Sequence, residues 1–236
     1  MIERKNRLSS SNFGKVCKRR STTLSSSLVK QLVYPRPFST SATEYGKQNE
    51  DVAIRLYEAQ RNCSVQKCGL FVDLEYGFLA ASPDGIVQDT GIAEVKCPAS
   101  KKDLAPEAAA KAQNPRKFQE QFALHQGHDY YYQIQGQFHI TKREFCDSIV
   151  YTEQGIHIER IMRDDDFWAK KMEPFLLPFY TDCMLPEIVD PRETRSMPLR
   201  EPKRIMAAIQ NHKENLDRKL QKKSTRKPGP PLTVIN

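Results

Sequence analysis

The sequence contains no hydrophobic run that approaches the roughly 20 residues of a membrane-spanning helix. Its six cysteines are scattered without paired spacing, and Cys63 and Cys68 have no second pair with which to form a zinc site. Acidic residues are nearly missing from residues 1–36, which hold nine Lys or Arg and one acid. The scattered cysteines and the lack of a membrane-spanning run predict a reduced intracellular protein, nuclear or cytoplasmic, with no membrane contact. A mitochondrial transit peptide over residues 1–36 is the alternative.

Charge divides the chain into a middle and two tails. Residues 199–236 carry ten Lys or Arg and three acids, whereas residues 37–198 have a net charge of −7. An acidic centre is typical of a divalent-metal site, and basic flanks are typical of polyanion binding. Purely solubilising, disordered tails remain the competing interpretation. We therefore predict a basic helical segment at 1–36, a core at 37–190 and a basic, flexible tail at 191–236.

The most informative stretch is the turn Ser82–Gly85, followed by the apolar run Gly91–Cys97. If that run is a strand, Glu94 and Lys96 point to one face, because side chains alternate along a strand. The turn before it can bring Asp84 beside Glu94, which gives an oxygen-rich pocket suited to Mg²⁺. The lysine there can orient or deprotonate a water, or neutralise a charged transition state. A solvated surface hairpin is the simpler alternative.

The remaining pattern predicts an α/β sandwich with a central mixed β-sheet flanked by helices. Helices are expected at 43–61, with Thr43 as the N-cap, at 129–141, at about 164–184 and in a short piece at 203–220. Strand-like runs at 69–72, 78–81, 85–87 and 91–97 suggest a β-meander, and two further strands are expected at 145–151 and 155–161. Residues 99–117 read as a loop or weak helix.

Two further candidates lie outside the strand. Glu50, in the middle of the first long helix, is either an ordinary exposed acid or a third carboxylate that reaches the metal pocket. Arg4 and Ser11 lie in a basic, hydroxyl-rich segment that opens a short helix, with Ser11 as a plausible N-cap. A helix N-terminus with nearby arginines is a phosphate-binding arrangement.

These residues resemble the PD-(D/E)XK nucleases, and within them the phage lambda-type exonuclease or YqaJ viral recombinase branch. Ser82–Gly85 with Glu94–Pro98 is similar to the nuclease core. Tyr45–Glu50 resembles the branch's Gly-Lys-x-x-Glu helix, and Tyr130–Gln137 resembles its Tyr-x-x-Gln-x-Gln helix. Arg4–Ser11 resembles its amino-terminal arginine- and serine-containing segment. The four blocks occur in the family's order and span about residues 4–188, which implies a restriction-endonuclease-like fold.

The resemblance also implies a role for each residue. Asp84, Glu94 and the main-chain carbonyl of Val95 would be metal ligands. Glu50 would complete the acidic cluster, directly or through a metal-bound water. Lys96 would lie against the attacking water or the scissile phosphate, and Gln133 would hold the lysine or that water. Arg4 and Ser11 would contact the 5′-terminal phosphate of the DNA.

The function implied is a Mg²⁺-dependent DNA exonuclease, with Mn²⁺ as a substitute, that degrades duplex ends from 5′ to 3′ in recombination, repair or mobile-element biology. A single-strand annealing protein and a homo-oligomeric ring around DNA are the implied partners. A DNA-end-binding module without catalysis and a structure-specific endonuclease are the alternatives. Because Met1 precedes Arg4 by only three residues, the sequence is expected to lack a segment that usually precedes this motif.

Overall fold

The structure is a computed structural model that describes residues 4, 6–35, 39–113 and 124–224. The predicted loop or weak helix at 99–117 therefore falls partly outside the described residues, as does the tail beyond residue 224. Within the described ranges, no helix is both long enough and apolar enough to cross a membrane. All six cysteines are free thiols.

Helices and short strands alternate along the chain. The α-helices are α1 (Phe13–Cys17), α2 (Ser26–Val33), α3 (Ser41–Arg61), α4 (Pro106–Gln113), α5 (Asp129–Thr141), α6 (Asp165–Phe167), α7 (Glu173–Phe179), α8 (Leu185–Val189) and α9 (Lys203–Ser224). The strands are β1 (Leu8–Ser9), β2 (Val65–Gln66), β3 (Phe71–Val72), β4 (Leu79–Ala81), β5 (Gly85–Val87), β6 (Gly91–Lys96), β7 (Phe145–Thr152) and β8 (Gly155–Met162). Two π-helical segments, Trp168–Met172 and Tyr180–Met184, join α6 to α7 and α7 to α8.

The strands form two sheets. The larger sheet has the order β2-β5-β6-β7-β8, in which only the β6–β7 pair among the described strands is parallel. The smaller sheet has the order β1-β4-β3, with β1 parallel to β4. Helix α5 lies in the connection between the parallel strands β6 and β7, because parallel neighbours need a crossover.

Helices cover both faces of the larger sheet, as the predicted α/β sandwich requires. On one face Ala53, Ile54 and Tyr57 of α3 pack against a buried apolar cluster that includes Ala93 and Val95. On the other face Ile134 and Phe138 of α5 join a larger core that includes Ile92. The mixed sheet flanked by helices is therefore confirmed, and β6 lies between the two layers.

Some local predictions were wrong. The four strand runs do not form a β-meander, because β4 pairs with β1 and β3 in the smaller sheet while β5 pairs with β2 and β6 in the larger one. Pro83, which has no amide hydrogen to donate to a neighbouring strand, separates β4 from β5. The partner of β4 comes from the distant N-terminal segment, which a pattern of neighbouring strands does not reveal.

Both predicted N-caps were also misplaced. Helix α3 begins with Thr40 as N-cap, and the Thr40 and Thr43 side chains each accept a hydrogen bond from the other residue's backbone N–H. Thr43 is thus the third helical residue of a capping box. Ser11 lies inside a single 3₁₀ turn, Ser10–Asn12, whose N-cap is Ser9, and the N-cap of α1 is Asn12.

The predicted C-terminal helix is confirmed and is longer than expected, since α9 ends at Ser224. The chain just before it is attached to the core through Glu201. The Glu201 carboxylate accepts hydrogen bonds from the backbone N–H groups of Ser25 and Ser26 at 2.7 and 2.8 Å, at the start of α2. Ile205 at the base of α9 is buried, so the base of this helix is part of the folded core.

A buried polar network joins α3 to the larger sheet. The Tyr57 hydroxyl donates to Asp147 Oδ2 at 2.6 Å, and Arg160 donates to the same carboxylate at 2.8 and 2.7 Å. Burial acts to raise the pKa of Asp147, but the hydrogen bonds from Arg160 and Tyr57 outweigh it and hold that pKa below its ordinary value of 3.8. The network fixes the helix that carries Glu50 against β7 and β8.

We expect Tyr57→Phe to lower the free energy of unfolding by about 1–2 kcal/mol at neutral pH, because the buried carboxylate loses a donor. Because the folded pKa of Asp147 is lowered, its stabilising contribution is present above pH 3.8 and is lost as the pH falls through the folded value. The deficit of the variant should therefore shrink on acidification, as followed by urea unfolding at several pH values. Tyr45→Phe is the matched control: its buried hydroxyl, on the same helix, has no hydrogen-bond partner among the described residues. A constant deficit at all pH values would contradict this role of Asp147.

Candidate active site

Strand β6 presents its two charged side chains to the α5 side of the sheet. Ile92 belongs to the core on that side, whereas Ala93 and Val95 belong to the cluster beneath α3. Glu94 and Lys96 therefore project together towards α5, as the period of two residues in a strand requires. The predicted alternation of side chains along this strand is confirmed.

The turn before β5 holds Asp84 against the same strand. The Asp84 backbone N–H donates to the carbonyl of Ala93 at 3.1 Å, and the Val95 N–H donates to Asp84 Oδ2 at 2.6 Å. Asp84 thus lies across from the middle of β6, as the turn predicted. Burial is the main cause that raises the pKa of Asp84 to about 7, and the nearby charge of Glu94 acts in the same direction, while the Lys96 ammonium and the Val95 N–H oppose the rise.

Both oxygens of the Glu94 carboxylate are held by donors. Oε1 accepts from Gln133 Nε2 at 2.5 Å and is in contact with the Lys96 ammonium, while Oε2 accepts from Gln137 Nε2 at 2.6 Å. Only 3% of Glu94 is exposed, so these charge-assisted bonds compensate for its removal from water. The carboxylate is fixed in one orientation by two consecutive turns of α5.

Lys96 lies between Glu94 and an aromatic ring. Its ammonium is 4.9 Å from the centre of the Tyr130 ring, and about a fifth of its side chain (21%) is exposed. Burial acts to lower the pKa of Lys96, but the negative charges of Glu94 and Asp84 outweigh it and raise that pKa. Lys96 is therefore a fixed cation at the edge of the site, which suits charge neutralisation better than proton abstraction.

Glu50 reaches the site from α3 through a surface cleft. The cleft has a volume of 270 Å³, and its lining includes both Glu50 and Asp84. Burial raises the pKa of Glu50, and the charges of Asp51 and Glu94 raise it further. The side chain is half-buried, so it is not the freely exposed acid of the simpler interpretation.

The chemistry of these donors fits a hard divalent cation. Carboxylate and carbonyl oxygens are the ligands of Mg²⁺, and crowded carboxylates such as Asp84 and Glu94 gain from a cation that relieves their repulsion. Within the residues that the structure describes, however, no three His, Cys, Asp or Glu side chains already converge on one point. Glu94 is held by Lys96 and the glutamines, and Asp84 by Val95, so the ligand set with Glu50 and the Val95 carbonyl stays a prediction.

The N-terminal segment lies beside the strand that leads to Asp84. Ser9 is in register with Ala80 of β4, and the Ser9 and Ser11 hydroxyls are 3.3 Å apart. The 3₁₀ turn that contains Ser11 also packs against α5. Arg4 is exposed. The structure thus brings the serine segment close to the elements that carry the site, while contact of Arg4 and Ser11 with a phosphate stays a prediction.

Three contacts of the site were not assigned from the sequence. Gln133 contacts Glu94 rather than Lys96, and Gln137, one turn later, holds the other oxygen of the same carboxylate. The sequence shows that the two glutamines share a helix face, but it does not show which strand lies beneath that face. The contact between the Tyr130 ring and Lys96 likewise depends on how α5 packs on β6.

Comparison with known proteins agrees with this fold. The family model of the YqaJ-like viral recombinase domain matches residues 2–144. An alkaline exonuclease from Laribacter hongkongensis, LHK-Exo, superposes with a TM-score of 0.56 and 21% identity over 94% of this chain and 96% of that chain. The structure of LHK-Exo in complex with dAMP gives a TM-score of 0.56 and 22% identity over 93% and 95% of the two chains. A search of curated protein sequences finds no match.

The structural likeness confirms the fold class. At 21–22% identity it shows a shared architecture, which is the restriction-endonuclease-like sandwich of these exonucleases. The family match covers the N-terminal segment, the Glu50 helix, the Asp84 turn, β6 and all of α5. The four sequence blocks that suggested the resemblance therefore lie within the matched region.

Proposed function

This chain belongs to the YqaJ-like viral recombinase domain family, and we propose that it is a Mg²⁺-dependent deoxyribonuclease that degrades duplex DNA from its ends. Family membership and fold support a deoxyribonuclease. The observation that carries the proposal is the pairing of Glu94 with Lys96, on one strand face, beside the turn residue Asp84. Acidic metal ligands beside a fixed cation are a combination suited to the hydrolysis of a phosphodiester.

Asp84, Glu94, Glu50 and the Val95 carbonyl would hold the metal ion. When bound, Mg²⁺ supplies an activated water and stabilises charge on the phosphoryl oxygens. The remaining positive charge at the site comes from a side chain of the protein itself. Lys96 would place its positive charge against the phosphate, and it carries that charge before the substrate arrives.

The two glutamines orient the acid rather than the water. Gln133 and Gln137 donate to opposite oxygens of Glu94, which fixes the plane of the carboxylate before any substrate binds. The sequence had suggested that Gln133 holds the lysine or the water; its observed partner instead supports a positioning role. Preorganised groups of this kind avoid reorganisation during the reaction.

We extend the proposal to the direction of degradation. The structurally similar LHK-Exo is described as an alkaline exonuclease and has been seen with dAMP, which is a mononucleotide of the kind an exonuclease releases. Ser11 lies next to α5 and near β4, and Arg4 is exposed at the start of the same segment. These two residues would select a 5′-phosphate and so give 5′→3′ polarity.

The test is a time course on linear duplex DNA labelled at either end, beside closed circular DNA, with Mg²⁺, Ca²⁺ or EDTA. We expect Mg²⁺-dependent loss from 5′ ends while circles remain intact, and slower degradation of 5′-hydroxyl than of 5′-phosphate ends. Arg4→Ala should remove that difference between ends. Nicked circles would support an endonuclease instead, and binding without cleavage would support an end-binding module. If the wild type degrades 5′-phosphate and 5′-hydroxyl ends at the same rate, only the proposed role of Arg4 and Ser11 is rejected.

A further inference from the structure

A solvent-exposed ion pair crosses the cleft that contains Glu50 and Asp84. Lys67, just after β2, places its Nζ 2.6 Å from Oδ1 of Asp51 on α3, and these side chains are 74% and 57% exposed. Both residues line the cleft, together with a second cation, Arg55. The pair therefore lies on the route by which a ligand reaches the two candidate active-site carboxylates through this cleft.

The charges around this cleft create a difficulty for an anionic substrate. Four acids line it, namely Glu50, Asp51, Glu58 and Asp84. A DNA phosphate that approaches them is repelled unless a cation compensates nearby. Arg55 and Lys67 are the cations in the lining, and Lys67 reaches across from the opposite wall to α3.

The partner of Lys67 is easily exchanged. Exposed pairs between lysine and a carboxylate contribute little to stability, since water screens the charges and the long side chain loses freedom. A phosphate offers the same ammonium an oxygen anion of comparable charge, and DNA presents it within a field of further phosphates. An incoming strand can thus take the place of the Asp51 carboxylate without disturbing the core.

We propose that Lys67 binds a backbone phosphate of the DNA strand in this cleft, and that Asp51 occupies the lysine until the strand displaces it. The identity of the ligand rests on the proposed function, whereas the exchange of partners rests on the geometry of the cleft. Asp51 is then a competitor of the substrate, and its removal strengthens binding. Simple loss of a stabilising surface pair would not have that effect.

The test is a double-mutant cycle in DNA binding, measured by fluorescence anisotropy of a short labelled duplex in EDTA over a range of salt concentrations. Without metal ions, any effect of Asp51 on metal binding at the adjacent Glu50 is absent. We expect Lys67→Gln to weaken binding about three- to tenfold and to reduce the slope of log K against log salt by about 1. Asp51→Asn should tighten binding about two- to fivefold. In the Lys67→Gln background, Asp51→Asn should give no further gain.

The cycle separates competition from general electrostatics. If Asp51 merely repels DNA at long range, its replacement gives the same gain with and without Lys67, and the proposal is overturned. The matched control is Asp166 with Lys170, an exposed pair at 2.8 Å on α6 and the adjoining π-helical segment; Asp166→Asn should show no coupling with Lys170→Gln. Cleavage by wild type in Mg²⁺ is scored separately: an inactive protein with intact coupling rejects the nuclease, whereas an active one without coupling rejects only the role of Lys67.

Discussion

Replacement of Lys96 by methionine is expected to reduce the rate of DNA cleavage by about 10²–10³-fold, with little change in DNA affinity. The ammonium lies against Glu94 on the face that the phosphate would approach, and its positive charge would stabilise the charge that develops there. Removal of one such preorganised group costs about 10²–10³ in rate. Methionine matches the unbranched stem of lysine and lacks its terminal ammonium, so the change is mainly one of charge.

The experiment compares single-turnover cleavage at saturating DNA with equilibrium binding in Ca²⁺. Glu94 keeps its bonds from both glutamines in the variant but loses its counter-ion, so the free energy of unfolding should fall by about 1–3 kcal/mol. Assays should therefore run well below the melting temperature. Lys170→Met, at an exposed lysine (68% exposed) outside the site, is the matched control. Cleavage by Lys96→Met at the wild-type rate would remove Lys96 from the active site.

The arrangement of β6 was predictable because it depends on local geometry. Alternation along a strand places Glu94 and Lys96 on one face and Val95 on the other, whatever the rest of the fold. The turn at Pro83 and Gly85 also limits where Asp84 can lie. These are short-range constraints, and the residues that carry them are adjacent in the sequence.

The remaining contacts of the site depend on packing between distant segments. Gln133 and Gln137 lie 39 and 43 residues from Glu94, and only the placement of α5 over β6 decides that both reach one carboxylate. The ion pair of the cleft likewise depends on packing, because the pairing of β2 with β5 at the edge of the sheet brings Lys67 to Asp51. No periodicity in the sequence specifies such contacts between residues that are distant along the chain.

The wrong strand and cap assignments have the same origin. The β-meander prediction assumed that neighbouring strands pair, but β4 pairs in parallel with the distant β1. The error at the start of α3 was smaller, since Thr40 and Thr43 are both good capping residues and their reciprocal bonds decide between them. Local preference therefore identified the helix but not its first residue.

Asp84→Asn is expected to abolish cleavage while making the metal-free protein more stable at pH 8. Burial first, and then the charge of Glu94, raise the pKa of Asp84 from 3.8 to about 7. A carboxyl whose folded pKa is raised costs stability wherever the folded protein must ionise it. That cost is absent below about pH 4, grows between pH 4 and 7, and is complete above pH 7. Asparagine is neutral at every pH and keeps an oxygen that can accept from the Val95 N–H.

Thermal and urea unfolding in EDTA should show the variant about 1–3 kcal/mol more stable than wild type at pH 8, with the difference shrinking towards pH 4. Asp89→Asn, at an exposed aspartate in the turn before β6, is the matched control and should show little difference at either pH. An equal or lower stability of Asp84→Asn at pH 8 would mean that the carboxylate is not held under electrostatic strain.

Adding Mg²⁺ tests whether the repulsion between Asp84 and Glu94 is relieved by a bound metal ion. A cation that binds only the folded protein raises its stability by mass action, and it relieves the repulsion between Asp84 and Glu94. Wild type should therefore gain melting temperature as Mg²⁺ is increased, whereas Asp84→Asn should gain little. Equal gains in both proteins would place the metal elsewhere, even if Asp84 proved essential for cleavage. A gain confined to wild type would show that the crowded carboxylates sacrifice stability in the free protein in order to hold the ion.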